Sequence, residues 1–368
     1  MLDNAHEGHT RTELMAYYEE IVAVASKLLK ENKQDWETNF NRYLERPDYY
    51  NHTEFWFQAY KNIIKKVEKE TGASFYFTTQ GTASLRFNGV SIIYDLRTAR
   101  SRGQNVTGTI DNKSGYDLSN QKTIEILKKK VSCLKEKEAS RLANQLESFY
   151  ESGILRTMND DNKKGRNTFY RHMTPIKRLN NGFTGNKKQE IGLFQMATPF
   201  GASEFKNNPQ ELVYSSAAGG GGIDILSRRG RTRWDSILTL IEVKNGYERE
   251  TEPPEITMGQ LIAYAVFICN LLEKDPINWG HAFGYMSTEG YGKKELNLIV
   301  MLPVPNDGKP PREDFLSETK SGADLRISAL NGEEYVFHLG YAYFDPTNYM
   351  EVKYSSLKSL DYNNRIEN

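Results

Sequence analysis

The chain has 368 residues and a mass of 42.2 kDa, with 48 Lys and Arg against 48 Asp and Glu, so it carries no formal net charge at neutral pH. Hydrophobic residues make up 38% and charged residues 26%, which excludes global disorder, and the charge balance argues against a general nucleic-acid coat protein. The longest apolar stretch, Leu261 to Leu272, falls short of the roughly 20 residues that span a bilayer, and the polar start from Met1 to Glu7 does not read as a signal peptide, so no membrane association is expected.

Thr10 with Glu13 forms a capping box, and Leu14, Tyr17, Ile21, Val24, Ala25 and Leu28 follow at helical spacing. A second helix is expected to carry Trp36, Phe40 and Tyr43 or Leu44. A third runs from Thr53 through Trp56, Tyr60, Ile63 and Val67 to a stop at Gly72. Residues 74–77, 83–87 and 90–94 alternate as strands, the last two joined by Asn88-Gly89, the preferred pair for a two-residue hairpin turn. A long helix is predicted from about Ser119 to Glu151, with Ile124, Leu127, Val131, Leu134, Leu142 and Leu146 on one face. The polar stretch 159–167 lacks periodicity and is expected to be a linker. Residues 1–158 would then form an N-terminal α+β module of unassigned role, and 168–368 a second domain.

In that second domain a helix is expected from Lys188 through Leu193 and Phe194 to Met196, then strands at 212–215, 222–226 and 236–244. A helix over 258–272 and strands at 280–286, 296–302 and 335–344 complete it. This is the pattern of an α/β fold, a mixed sheet flanked by helices.

The informative segment is the strand Gly222-Ile223-Asp224-Ile225-Leu226, a polar turn, and the strand Ile237-Leu238-Thr239-Leu240-Ile241-Glu242-Val243-Lys244. The second strand is apolar on both faces but for Thr239, as a central, doubly covered strand must be. Ending it with Glu242 and Lys244 is costly unless both are paired or bound. Alternation points Glu242 and Lys244 to one face, and a hairpin partner can bring Asp224 beside them. Two carboxylates that close repel, which an oxygen-seeking divalent cation relieves, while an ammonium can orient a water or offset phosphoryl charge. The alternative is a rim salt bridge between Glu242 and Lys244, with Asp224 in a turn after the glycines. Other Glu-x-Lys triplets begin at Glu31, Glu318 and Glu351, but none ends an apolar strand.

With the helix over 258–272, these residues resemble the PD-(D/E)XK nuclease superfamily, whose fold is called restriction-endonuclease-like. Its acidic residue is matched by Asp224, its Glu-x-Lys by Glu242 and Lys244, and Gln260 with Tyr264 looks like the Gln-x-x-x-Tyr motif of RecB-type and lambda-exonuclease-like branches. The resemblance covers roughly residues 186 to 305, and Ile223 stands where the family's proline would be. It implies Mg2+ or Mn2+ held by Asp224, Glu242 and the Val243 carbonyl, with Lys244 serving the attacking water and Gln260 and Tyr264 near the metal or scissile strand. A further Glu from the helix preceding the sheet is expected at Glu190. The activity implied is Mg2+-dependent hydrolysis of DNA phosphodiester bonds, with RNA the other possible substrate. The alternative is a non-cleaving nucleic-acid-binding or assembly protein on the same fold.

From Arg156 to Lys188 nine basic residues face two acidic ones, a net of +7, interleaved with Phe169, Tyr170, His172 and Phe183. Lys177, Arg178, Lys187 and Lys188 in this stretch suit phosphate contacts, as do Arg228, Arg229, Arg231 and Arg233 on the expected inter-strand turn. A solvated surface is the other reading of both. The run Gly219 to Gly222 lacks the Lys-Ser/Thr of a P-loop and would instead admit close approach near Asp224. The six histidines show no metal-ligand spacing. Cys133 and Cys269 are too few for a disulfide framework, so a reducing cytoplasm is expected, with homo-oligomerisation left open.

Overall fold

The computed structural model describes residues 11–44, 54–78, 83–98, 110–111, 117–141, 146–164, 169–180, 189–201, 208–215, 221–230, 235–244, 254–285, 291–304 and 323–355, a minority of them by backbone alone. In chain order these form α1 (Arg11–Glu31), α2 (Lys33–Leu44), α3 (Glu54–Thr71), β1 (Ser74–Thr78), β2 (Ala83–Phe87), β3 (Val90–Thr98), β4 (Ile110–Asp111), α4 (Gln121–Arg141) and α5 (Leu146–Lys164). There follow β5 (Met173–Pro175), β6 (Lys177–Asn180), β7 (Gln189–Ala197), β8 (Gly222–Ile223), β9 (Ile225–Arg229), β10 (Ile237–Val243), α6 (Pro254–Lys274), α7 (Pro276–Ala282), β11 (Glu295–Pro303), β12 (Ala323–Ser328), β13 (Glu334–Asp345) and β14 (Asn348–Ser355).

Two sheets result. The first has the order β4-β3-β2-β1-β7-β6, with β8 on β7; the second has the order β12-β13-β11-β10-β9-β5, with β14 on β13. The hairpin β2–β3 closes at Asn88 and Gly89, whose φ angles of 47° and 75° are those the Asn-Gly pair accepts. Strand β10 lies inside the second sheet, antiparallel to β9 and parallel to β11, and all seven of its residues are buried, as its apolar sequence requires.

On one face of β10, Leu238 and Leu240 share a core with Leu296, Leu298 and Val300, with α6, and with Leu14, Tyr18, Ile21, Ala25 and Leu29 of α1. Trp36 and Phe40 of α2 close it edge-on against Phe267, at 5.9 and 4.6 Å between ring centres. On the other face, Ile241, Val243, Ile299 and Met301 pack with Tyr150, Ile154, Leu155 and Met158 of α5. Helix α6 is long and apolar enough to cross a membrane, but 94% of its most apolar window is buried inside the fold.

The mixed α/β class is as expected, but the division into two domains is not how the chain packs. Strand β1 of the first half pairs in parallel with β7 of the second, and α1 and α6 share one core. Residues 159–164 of the expected linker continue α5. The expected long helix is two, α4 and α5. The segment around Leu193 and Phe194 is strand β7, not a helix: between β1 and β6 it buries Phe194 and Leu193 in different cores, so sheet pairing overrides local propensity. The expected strand at 280 begins instead as α7, where Asp275 caps the Asn278 amide at 3.0 Å and Pro276 takes the first turn. Around 212–215 there is a single bridge, Phe200 to Tyr214, after a 3-10 turn.

Candidate active site

The register of β9 on β10 pairs Ile225 with Ile241, which leaves Asp224, in the bend between β8 and β9, opposite the end of β10. The Val243 N–H donates to Asp224 Oδ2 at 2.8 Å, and the Val243 carbonyl, on the same edge of the strand, faces the same neighbour. The Lys244 N–H donates to the Met301 carbonyl at 3.0 Å, which prolongs the pairing with β11 by one residue and holds Lys244 in strand geometry. Its ammonium then lies 3.1 Å from Glu242 Oε1. Glu242 is 4% and Lys244 9% exposed, so this is a buried pair and not a rim salt bridge.

Helix α5 completes the cluster. Its first turn, where the helix dipole favours a carboxylate, carries Glu147, whose Oε1 lies 3.2 Å from Lys244 Nζ. One turn on, at i+4 and so on the same helix face, Glu151 shares a hydrogen bond with Asp224. Tyr150 anchors the helix edge-on to Phe344 at 5.3 Å. One oxygen each from Glu147, Asp224 and Glu242 fall within 4.8 Å of one another. Glu190, expected to play the helix role, stands on β7 opposite Leu179, and its side chain lies outside the described residues. The acidic residues that a preceding helix delivers are Glu147 and Glu151. Their i,i+4 spacing was visible in the sequence, but nothing local tied it to Lys244, 97 positions from Glu147, or to Asp224, the partner of Glu151.

Four carboxylates crowd one ammonium here. Burial, followed by the repulsion of Glu242 and Glu147, pushes Glu151 up to about 7 against the opposing pull of Arg86 and of the hydrogen bond to Asp224. Asp224 is held well above the usual carboxylate range by burial and by Glu151, and Glu242 by burial and by Asp224; Lys244 opposes both shifts. The hydrogen bond between Asp224 and Glu151 requires a proton on one of them. Glu242 Oε2 is buried without a hydrogen-bond partner, as are both amide atoms of Gln260, itself 1% exposed. Hard oxygen donors in acidic excess, one with an unused buried oxygen, fit a divalent oxygen-seeking cation such as Mg2+ or Mn2+. Glu147, Asp224 and Glu242 could hold it, with the Val243 carbonyl beside them.

Gln260 and Tyr264 are one turn apart on α6 and both buried. Tyr264 fills the space over Gly221, where a Cβ would come within 2.0 Å of its hydroxyl oxygen, so the glycine is required for the approach of α6 to the chain leading into Asp224.

The expected arginine turn is in part a strand. Ser227, Arg228 and Arg229 continue β9 against β10, and both arginines are buried, at 5% and 7% exposed. Arg228 donates to the Gly284 carbonyl at 2.7 Å and lies 6.0 Å from the Tyr285 ring centre; Arg229 lies 5.5 Å from that of Phe169. Neither is placed to track a nucleic-acid backbone, because the strand pairing that the alternation did not reveal draws both inside. Arg231, Arg233, Lys187 and Lys188 lie outside the described residues. Lys177 and Arg178 stand on β6, Lys177 half-buried and the Arg178 side chain outside the description. Compared with protein-family models, curated proteins and solved structures, the chain shows no match.

Proposed function

We propose that the protein is a metal-dependent nuclease that hydrolyses DNA phosphodiester bonds with an activated water. The observation that carries this reading is the convergence of Glu147, Glu151, Asp224, Glu242 and Lys244 on the end of one buried strand, with an unpartnered Glu242 oxygen among them. A fold that gathered these groups for stability alone would have carried several buried acids at a net cost. The order helix with Glu, strand with Asp, strand with Glu-x-Lys, helix with Gln-x-x-x-Tyr supports the likeness to the PD-(D/E)XK superfamily.

When bound, a divalent cation would polarise the phosphoryl oxygens and lower the pKa of a bound water. Glu147, Asp224 and Glu242 would hold it, and protons that burial keeps on Asp224 and Glu242 would leave as it binds. The strand pairing at Lys244 and the Val243 amide on Asp224 keep the cluster in place without rearrangement, which is the preorganisation catalysis rewards. Lys244, pinned between Glu242 and Glu147, would orient the attacking water and offset charge developing on the phosphate. Gln260, buried with its amide unsatisfied, would by the likeness to the Gln-x-x-x-Tyr motif steady substrate or water.

The test is cleavage of linear, circular and single-stranded DNA and of RNA with Mg2+, Mn2+ or chelator. Metal-dependent DNA cleavage abolished by Asp224→Asn is the expected result. Metal-independent binding without cleavage would point to the non-cleaving alternative.

A further inference from the structure

The first sheet turns two chemically different faces to its surroundings. On β1 and β2, Phe75, Leu85 and Phe87 point into a core with α3 and α4, as the alternation Ser-Phe-Tyr-Phe-Thr and Ala-Ser-Leu-Arg-Phe dictates. The opposite face carries Tyr76, Ser84 and Arg86, with Gln195 from β7 beside them. Tyr76 and Leu193 on this face pack against α5, so the face abuts the helix that delivers Glu147 and Glu151.

Arg86 is fixed on that face. Its Nε donates to Ser84 Oγ at 2.9 Å, its Nη2 donates to Gln195 Oε1 at 3.0 Å, and its guanidinium stacks 4.8 Å above the Tyr76 ring. It is half-buried and near enough to Glu151 to oppose that carboxyl's upward shift. The Tyr76 hydroxyl hydrogen-bonds Ser152 of α5, and Arg156, exposed one turn further along, joins Arg86 in acting on Tyr76. Each of the two partners that hold Arg86 is neutral. A guanidinium whose hydrogen bonds go to neutral groups keeps charge beyond what it exerts on Glu151, and planar donors in this setting suit a phosphate.

We propose that Arg86, supported by Ser84, Gln195 and Tyr76, is a phosphate-binding residue that seats the DNA backbone beside the carboxylate cluster. The first sheet would thereby contribute directly to substrate binding. This rests on the nuclease reading, in which a backbone must pass the cluster with its phosphates close to four acids. The repulsion of those acids has to be offset locally, and Arg86 is a fixed cation at the edge of the cluster. Arg156, on the exposed side of α5, would extend the contact to a neighbouring phosphate.

The experiment uses the full chain as wild type, Arg86→Ala, Arg86→Lys and Gln195→Ala. Folding is followed by circular dichroism and melting, cleavage by steady-state kinetics with Mn2+, and binding to a short DNA duplex by fluorescence anisotropy over a salt series in Ca2+. Losing one charged hydrogen-bonding contact should raise KM roughly tenfold to a hundredfold with a smaller change in kcat. The slope of log affinity against log salt should become shallower by about 0.9, the value for one phosphate contact. Arg86→Lys should keep the salt slope but not the full KM, because an ammonium keeps the charge and loses the planar fork. Gln195→Ala, which releases one tether, should raise KM less than Arg86→Ala. If Arg86→Ala does not fold, Arg86→Lys and Gln195→Ala carry the test.

A counter-ion role toward Glu151 alone would change metal dependence and kcat but leave the DNA salt slope at its wild-type value, and that result overturns the proposal while the nuclease reading stands. If the wild type binds DNA without cleaving and Arg86→Ala still flattens the slope, the nuclease reading fails and the phosphate contact survives. A wild type that neither cleaves nor binds overturns both.

Discussion

Glu151 offers a test of the site that needs no substrate. Its carboxyl is pushed from an ordinary value of 4.5 to about 7, so the folded chain keeps a proton there that the unfolded chain releases. The group is buried, and the displacement corresponds to about 3 kcal/mol at roughly 1.4 kcal/mol per pH unit. An acid whose folded pKa is raised binds more protons in the native state between the two values. Native stability therefore falls as pH rises from about 4.5 to about 7, and stays lower above that. Glu151→Gln mimics the protonated side chain and can still hydrogen-bond Asp224. In chelator it should match the wild type near pH 4 and exceed it by about 3 kcal/mol at pH 8. With an unfolding entropy of about 2.1 cal/mol/K per residue over 368 residues, that is a rise in Tm of about 4 °C. Urea unfolding or calorimetry at several pH values, with both proteins in the same chelator, measures the difference and cancels groups common to both. A difference that does not grow with pH, or a Gln variant less stable at pH 8 than the wild type, would refute the view that a buried carboxyl is held protonated at this site.

Lys244→Ala should abolish Mn2+-dependent DNA cleavage while far-ultraviolet circular dichroism stays unchanged, whereas Glu351→Ala, in the Glu-x-Lys of β14, should cleave as wild type; the reverse pattern would place the active site at β14 and not at the end of β10. Mn2+ titrated by calorimetry should bind the wild type and release protons, more tightly at pH 8 than at pH 6 because the carboxyls must deprotonate, and Glu242→Gln should weaken binding at least tenfold. Gly221→Ala should cost about 1–3 kcal/mol in urea unfolding, since its Cβ would meet the Tyr264 hydroxyl oxygen at 2.0 Å and the Phe200 carbonyl at 3.2 Å, and Tyr264→Phe should recover part of that loss. Arg228→Ala should destabilise by about 2 kcal/mol through the lost bond to the Gly284 carbonyl and leave the DNA salt slope unchanged, the opposite of what an arginine on an exposed turn would do.

Much of the candidate site was legible because strand periodicity and hairpin pairing are local. The apolar run from Ile237 to Ile241 identifies a doubly covered strand, the alternation places Glu242 and Lys244 together, and the short connection to the preceding strand brings Asp224 alongside. Gln260 and Tyr264 read as one face of a helix for the same reason. The Asn88-Gly89 turn is also short-range and depends on the steric preferences of two residues, whereas the expected cap Thr10 lies outside the described residues.

The rest depended on contacts that no local pattern encodes. Glu147 meets Lys244 across 97 positions and Arg86 meets Gln195 across 109, so neither pair leaves a periodic trace in the sequence. A segment such as 189–197, short and apolar enough for helix or strand, takes its form from the neighbours that cover it, and it became the strand that joins the two halves of the chain. Arg228 and Arg229 look solvated in a polar run, and only the pairing of β9 shows them buried. Local periodicity alone fixes which strand ends in charge and which residues share its face. The tertiary structure decided which further acids and which arginine stand beside them, because burial and electrostatic repulsion act through space between elements far apart along the chain.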